Sequence, residues 1–326
     1  MYTLLWLLLP VAAASGWWAA NYSHSTRKSR ARAQFNSAYG QGLNYLLNEE
    51  PDKATGVLVQ LVEVDPDTVE LHLALGSLFR RRGEVDRAIR VHRNIIDRSR
   101  LSEPQRNQAV LELGRDFLKA GLLDRAERLF DGLLGCGPDD QAACQHLVDI
   151  YQQEKEWAKA IDVARRIKSS DPAHWKIRIA HYYCELGDAA LVRGDVAQAL
   201  VEAERARCED AGCVRALLLK ATAHQHAGDF QAAIDAYQSL GGQSQRLIPG
   251  IGQELQACYV RLADGGAADA DLHGGNTGTA EQHDRVEPVT RFRCEECGFG
   301  SRKLFWQCPG CRSWSSVKPL VQDRAE

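Results

Sequence analysis

The residues best placed to do chemistry lie near the end of the chain. Cys294 and Cys297, then Cys308 and Cys311, form two Cys-x-x-Cys knuckles separated by ten residues. A knuckle of this kind places both sulfurs on one side of a tight turn, and Gly298 and Gly310 are read as supplying its left-handed backbone. Four soft thiolates in tetrahedral array select one zinc or iron ion, and the spacing does not separate the two. A module as short as residues 288–326 cannot fold on an apolar core alone, so the ion would supply much of its stability. Disulfide pairing is the competing use of the four sulfurs, disfavoured in a reducing compartment. A thioredoxin-like role lacks the strand–helix pattern around either knuckle.

Arg291, Arg293, Arg302, Lys303, Arg312 and Lys318 surround the cysteines, interleaved with Phe299, Phe305, Trp306 and Trp314, against the acidic Glu295 and Glu296. Basic and aromatic residues together suit nucleic-acid stacking. They equally suit a surface by which a small module docks onto a larger body, and docking is favoured because aromatics also make its core.

The rest of the chain offers no catalytic site. It has no phosphate-binding glycine loop, no His-Glu-x-x-His helix and no nucleophile elbow, so no enzymatic activity is expected. Forty basic and 43 acidic residues in a chain of 326 give a net charge of -3, which carries no global field toward nucleic acid. The remaining cysteines, Cys136, Cys144, Cys184, Cys208, Cys213 and Cys258, are scattered through helical sequence. They read as small core residues rather than a disulfide framework.

Most of the chain before the knuckles is a repeat. Gly42, Tyr45 and Ala54 recur as Gly76, Phe79 and Ala88, then as Gly114, Phe117 and Ala126. Later copies centre on Tyr151 and Ala160, on Gly187, Gly194 and Ala199, and on Ala221, Gly228 and Ala233. The 34-residue step from Ala54 to Ala88 is the tetratricopeptide period. Small residues let paired helices approach, an aromatic fills between them, and Pro66, Pro138 and Pro172 are read as closing units. The wider steps of 38 residues to Ala126 and 39 to Ala199 predict short loop insertions. The pattern predicts an all-α superhelical solenoid over residues 34–263, whose stacked units form a concave binding groove. Arg80, Arg81, Arg82, Arg90, His92 and Arg93 could receive an acidic tail there, although such a run is more often a solvated face.

Residues 1–20 carry no charge and suffice to cross a bilayer as a helix, with Trp17, Trp18 and Tyr22 at the edge. Arg27, Lys28, Arg30 and Arg32 follow in a basic segment, 21–33, and predict an uncleaved single-pass anchor with the rest of the chain in the cytoplasm. A cleaved signal peptide would want its charge before the apolar run. Between the array and the module, residues 264–287 read as a flexible Gly/Ala/Asp/Thr linker.

The order of anchor, repeats and module resembles the lipopolysaccharide assembly protein B family of the Gram-negative inner membrane. The most specific stretch runs from Phe292 to Pro319, where Arg293-Cys294, Cys297-Gly298-Phe299, Leu304-Phe305-Trp306, Cys308-Pro309, Trp314 and Lys318-Pro319 fall as in that family's rubredoxin-like module. The resemblance implies a non-catalytic adaptor that helps a membrane-bound ATP-dependent protease degrade the deacetylase committing material to lipid A. It carries Cys294, Cys297, Cys308 and Cys311 over as ligands, usually of iron. Membrane tethering argues against a nucleic-acid partner, and assembly into a homo-oligomer is left open. One departure is that family members usually have further repeats where this chain has its linker, so docking of module on groove is not carried over from the family. Rubredoxin-like electron transfer and a nucleic-acid-binding zinc ribbon are the alternatives.

Overall fold

A computed structural model describes residues 45, 51–64, 68–98, 101–137, 139–240, 251–263 and 291–320. The expected anchor, the basic segment and the linker lie outside the described residues. Among the described residues, no helix is long and apolar enough to cross a membrane. The chain divides into two compact units, Met1–Ala143 and Cys144–Glu326.

In the first unit α1 (Pro51–Val64), α2 (Val69–Arg81), α3 (Val85–Ile96), α4 (Glu103–Lys119) and α5 (Leu123–Asp131) pack in sequence as antiparallel neighbours. Ala54, Leu58, Leu61, Leu71, Leu75, Leu78, Phe79 and Ala88 form its core, on the small-aromatic-alanine positions of the repeat and the leucines between them. Gly76 shows why a small residue is needed: a Cβ there would overlap the His92 ring of the paired helix, as one at Gly114 would overlap Phe130.

That His92 ring is part of a buried ionic network. His92 Nδ1 lies 2.5 Å from Asp116 Oδ2, and Arg80 joins Asp116 Oδ1 at 2.7 Å and Glu112 Oε2 at 2.5 Å. Arg82 pairs with Asp52 and Glu84. Three members of the suspected acidic-tail site are thereby occupied, Arg80 and His92 in holding α2, α3 and α4 together and Arg82 in pairing with Asp52 and Glu84, because a buried polar group must find its partner within the fold. Arg81, Arg90 and Arg93 remain exposed, as on a solvated face.

In the second unit the end of α6 (Asp139–Glu154) is followed by α7 (Trp157–Ala164), α8 (Pro172–Val192), α9 (Val196–Glu209), α10 (Val214–His226), α11 (Phe230–Gln238) and α12 (Ile251–Ala263). Gly187 of α8 meets Leu219 of α10, so the same small-residue device acts between successive hairpins. Cys144, Cys184, Cys213 and Cys258 are buried in helical surroundings, Cys136 is half-buried and Cys208 is exposed.

Among the described residues, five hairpin turns each carry one left-handed residue: Gly83, Gly121, Lys155, Gly194 and Gly228, with φ of 81°, 74°, 60°, 79° and 76°. The expected loop insertions are instead mostly helix. Helices α4 and α8 run 17 and 21 residues against 13 in α2 and α10, since extending a helix satisfies each added backbone group internally. Pro172 likewise opens α8 rather than closing the unit before it. Its missing N–H costs nothing in a first helical turn, and Asp171 caps that turn by accepting from the His174 N–H.

The terminal module adds what the all-α expectation did not specify, a three-stranded antiparallel sheet in the order β2-β1-β3. β1 (Arg291–Cys294) pairs with β2 (Gly300–Ser301) on one side and with β3 (Val317–Leu320) on the other, placing Cys294 opposite Val317.

Candidate metal centre and its seat on the repeats

The two knuckles are built alike. The Cys294 carbonyl accepts from Gly298 N–H at 3.0 Å and the Cys308 carbonyl from Arg312 N–H at 2.8 Å. The cysteine amides donate in turn to the carbonyls of Phe299 and Ser313, at 2.8 and 2.9 Å. The residue after each second cysteine is left-handed, Gly298 at φ 74° and Arg312 at φ 61°. Gly310 is therefore not the left-handed residue of its knuckle. It is small because a Cβ there would stand 3.3 Å from Cys297 Sγ and 3.7 Å from Cys308 Sγ.

All four Sγ atoms lie within 4.8 Å of one another. Cys294 Sγ is 3.6 Å from Cys311 Sγ, and Cys297 Sγ is 3.6 Å from Cys308 Sγ. A tetrahedral ion with metal–sulfur bonds of about 2.3 Å sets sulfurs roughly 3.8 Å apart, so the four positions fit one zinc or iron ion. Cys294 and Cys308 face the module interior with Phe292 and Val317, while Cys297 and Cys311 are exposed. Ser316 Oγ, 3.2 Å from Cys294 Sγ, pulls that thiol down to about 6, and the Ser313 hydroxyl lowers Cys311. Both serines favour the thiolate form a metal requires.

The loop that follows the second knuckle seats the module on α6 to α8 and α10. Trp314 donates its indole N–H to Gln152 Oε1 at 2.8 Å and stacks on His181 with ring centroids 4.9 Å apart. Trp157 and Tyr182 meet it edge-on, and the Arg215 guanidinium lies 5.9 Å from its ring. His181 Nε2 and Ser315 Oγ are 2.6 Å apart, and Arg312 donates to Gln153. Burial, reinforced by the charges of Arg215 and Lys318, holds His181 neutral with its pKa near about 3. The docking use of the aromatic cluster is thus realised through Trp314. Its receiving residues, Gln152, His181 and Arg215, carry no sequence signal that would have singled them out.

Residues 292–319 match the rubredoxin metal binding domain, and 39–100, 111–174 and 184–245 match the tetratricopeptide repeat. The chain is 32% identical over 383 aligned positions to lipopolysaccharide assembly protein B of Escherichia coli K12, covering 98% of each chain. It belongs to the lipopolysaccharide assembly protein B family. The family's Haemophilus influenzae member is 29% identical over 98% of each chain. Because the 383 aligned positions exceed the 326 residues here, the Escherichia coli relative carries segments this chain lacks. The module alone is 54% identical over 28 residues to the DNA repair protein RadA of Halalkalibacterium halodurans, 9% of this chain and 6% of that one. A match to the ribbon alone therefore does not show the family; the match over 98% of the chain does.

Proposed function

We propose that this chain is a non-catalytic adaptor of lipopolysaccharide synthesis, tethered to the bacterial inner membrane by residues 1–20 with its repeats and metal module in the cytoplasm. It brings the deacetylase of the committed step of lipid A synthesis to a membrane-bound ATP-dependent protease. The observation that carries the reading is the seating of a four-cysteine module on a repeat array in a chain of this family. Tetratricopeptide arrays bind polypeptides, and a module locked onto one by Trp314 shapes the surface on offer rather than hanging free of it. Tethering confines adaptor, substrate and protease to one surface and raises their effective concentration without new contacts.

The test is the half-life of the deacetylase after protein synthesis is blocked in cells depleted of this protein. A lengthened half-life, restored by the intact gene but not by one carrying Cys294→Ser and Cys297→Ser, supports the adaptor. An unchanged half-life refutes it.

A further inference from the structure

Two of the scattered cysteines meet where the repeats receive the module. The thiol of Cys184, on α8, hydrogen-bonds the sulfur of Cys213, the residue that opens α10. Their neighbours hold the same two segments together. Arg215 Nη2 bonds both Glu185 and Asp188 at 2.7 Å, and one turn beyond Cys184 the bare Gly187 lets Leu219 of α10 approach. A sulfur–sulfur bond needs Cα atoms within about 7 Å, a span that helices drawn together at a glycine can offer. Cys213 stands outside the helix in extended backbone, at φ -67° and ψ 97°, so its sulfur can adjust without unwinding α10.

The two thiols are unequal. Its hydrogen bond to Cys213 and its complete burial push Cys184 well up, so it keeps its proton. Cys213 receives that hydrogen bond and is lowered by it; the Ala216 amide in the first turn of α10 adds to the effect, and burial opposes it. The thiolate is the form that attacks, so Cys213 is the nucleophile and Cys184 its proton-bearing partner. Cys213 also lines a cavity of about 170 Å³ at the seam with the module, together with Gly212, His181, Leu304 and Phe305. Water in the liquid takes ~30 Å³ a molecule, so a two-oxygen peroxide fits this space and a disulfide of two tripeptides does not.

We propose that Cys213 and Cys184 form a peroxide-responsive dithiol, a modification site in the seat of the metal module. The Cys213 thiolate attacks one oxygen of hydrogen peroxide, the O–O bond breaks, hydroxide leaves, and Cys213 becomes a sulfenic acid. The Cys184 sulfur then attacks the Cys213 sulfur: the S–S bond forms, the S–O bond breaks, and the Cys184 proton leaves with the hydroxyl as water. The two sulfurs give up two electrons, and one peroxide is reduced to water and hydroxide. The bond ties α8 to the start of α10, two residues before the Arg215 guanidinium that lies on Trp314, and so braces the seat. In a reducing compartment it is transient, undone by thiol reductants. The site asks nothing of the adaptor reading.

The test treats the full-length, metal-loaded chain in detergent with hydrogen peroxide or with glutathione disulfide, and maps tryptic peptides without reductant. The chain carries Cys208→Ser, which removes the exposed neighbour that shares a tryptic peptide with Cys213. Peroxide is expected to join peptide 179–193 to peptide 208–215 with the loss of two hydrogens, reversibly by dithiothreitol, and about tenfold faster than glutathione disulfide does. Cys184→Ala is expected to leave Cys213 as a sulfenic acid that dimedone captures, and Cys213→Ala to leave Cys184 unmodified. The cross-link is read in a chain that retains both thiols, so it stands whether or not either alanine variant folds. No cross-link at a peroxide dose that oxidises Cys208 of the parent, equal cross-linking by glutathione disulfide, or dimedone capture on Cys184 would overturn the site.

Discussion

Gln152 Oε1 receives the Trp314 indole N–H at 2.8 Å and, on the same oxygen, the Tyr182 hydroxyl at 2.9 Å and an Arg178 N–H at 3.3 Å. One amide oxygen thus joins the metal module to α6 and α8. Gln152→Leu would strand two donors in a buried seam, the Trp314 indole and the Tyr182 hydroxyl, at about 1–3 kcal/mol for each left unpaired, while Arg178 keeps Asp149. The expected result is a red-shifted tryptophan emission and faster proteolysis after the array, with helical circular dichroism preserved. Gln152→Glu keeps the acceptor beside Arg178 and is expected to stay seated.

Removal of the ion should undo the same seat from the other end. Arg312, Trp314 and Ser315 follow directly on Cys308 and Cys311, and the Arg312 amide is bonded to the Cys308 carbonyl. A thiol-competing chelator, or Cys308→Ser, is expected to melt the sheet and free Trp314 while the repeats keep their helix content. Because the ligands must be thiolates, release should become easier as pH falls. Metal analysis alongside fluorescence checks both.

His181 adds a second pH dependence of known sign. An unperturbed imidazole gains its proton near pH 6.5, whereas His181, buried and facing Arg215 and Lys318, does so only near about 3. Between these values the unseated or unfolded state alone binds the proton. The seat should therefore weaken as pH falls through 6.5, the slope approaching about 1.4 kcal/mol per unit only well below that value. Melting of the parent between pH 7.5 and 5.5 should show a loss of about 1.4 kcal/mol in total, most of it below 6.5, and His181→Asn should flatten it.

Lys155 occupies, at φ 60°, the turn position that glycine holds in four other hairpins. Lys155→Gly is expected to stabilise the α6–α7 turn by roughly 1 kcal/mol, since a side chain in the left-handed region costs about that much. A urea titration with unchanged slope would show it, and a loss of stability would contradict it.

Lys155 also illustrates what the sequence could and could not disclose. The repeat was legible because helix approach demands Gly76, Gly114 and Ala88 at fixed offsets, and the cluster of four thiols because paired knuckles bring their sulfurs together. The period did not tell Gly310 from Arg312, since two small departures, one of space and one of backbone, leave the same trace. Nor could it place extra residues in α4 and α8 rather than in loops, because helix and loop share polar composition at the surface. Arg80 and His92 looked like a basic face since their partners, Glu112 and Asp116, arrive from another helix. Gln152, His181 and Arg215 were silent for the same reason, as their roles exist only once the module sits on them.

The span of the Trp314–Gln152 contact, 162 residues along the chain, has a consequence for biosynthesis. The helices that receive the module emerge from the ribosome well before Trp314 does, so the repeats can collapse while the seat stands open. Closure must await the two knuckles and the loop that follows them. An ion held by the four thiols would be captured only after the array has folded, and a chain starved of metal would be born with its array folded and its tryptophan clasp undone.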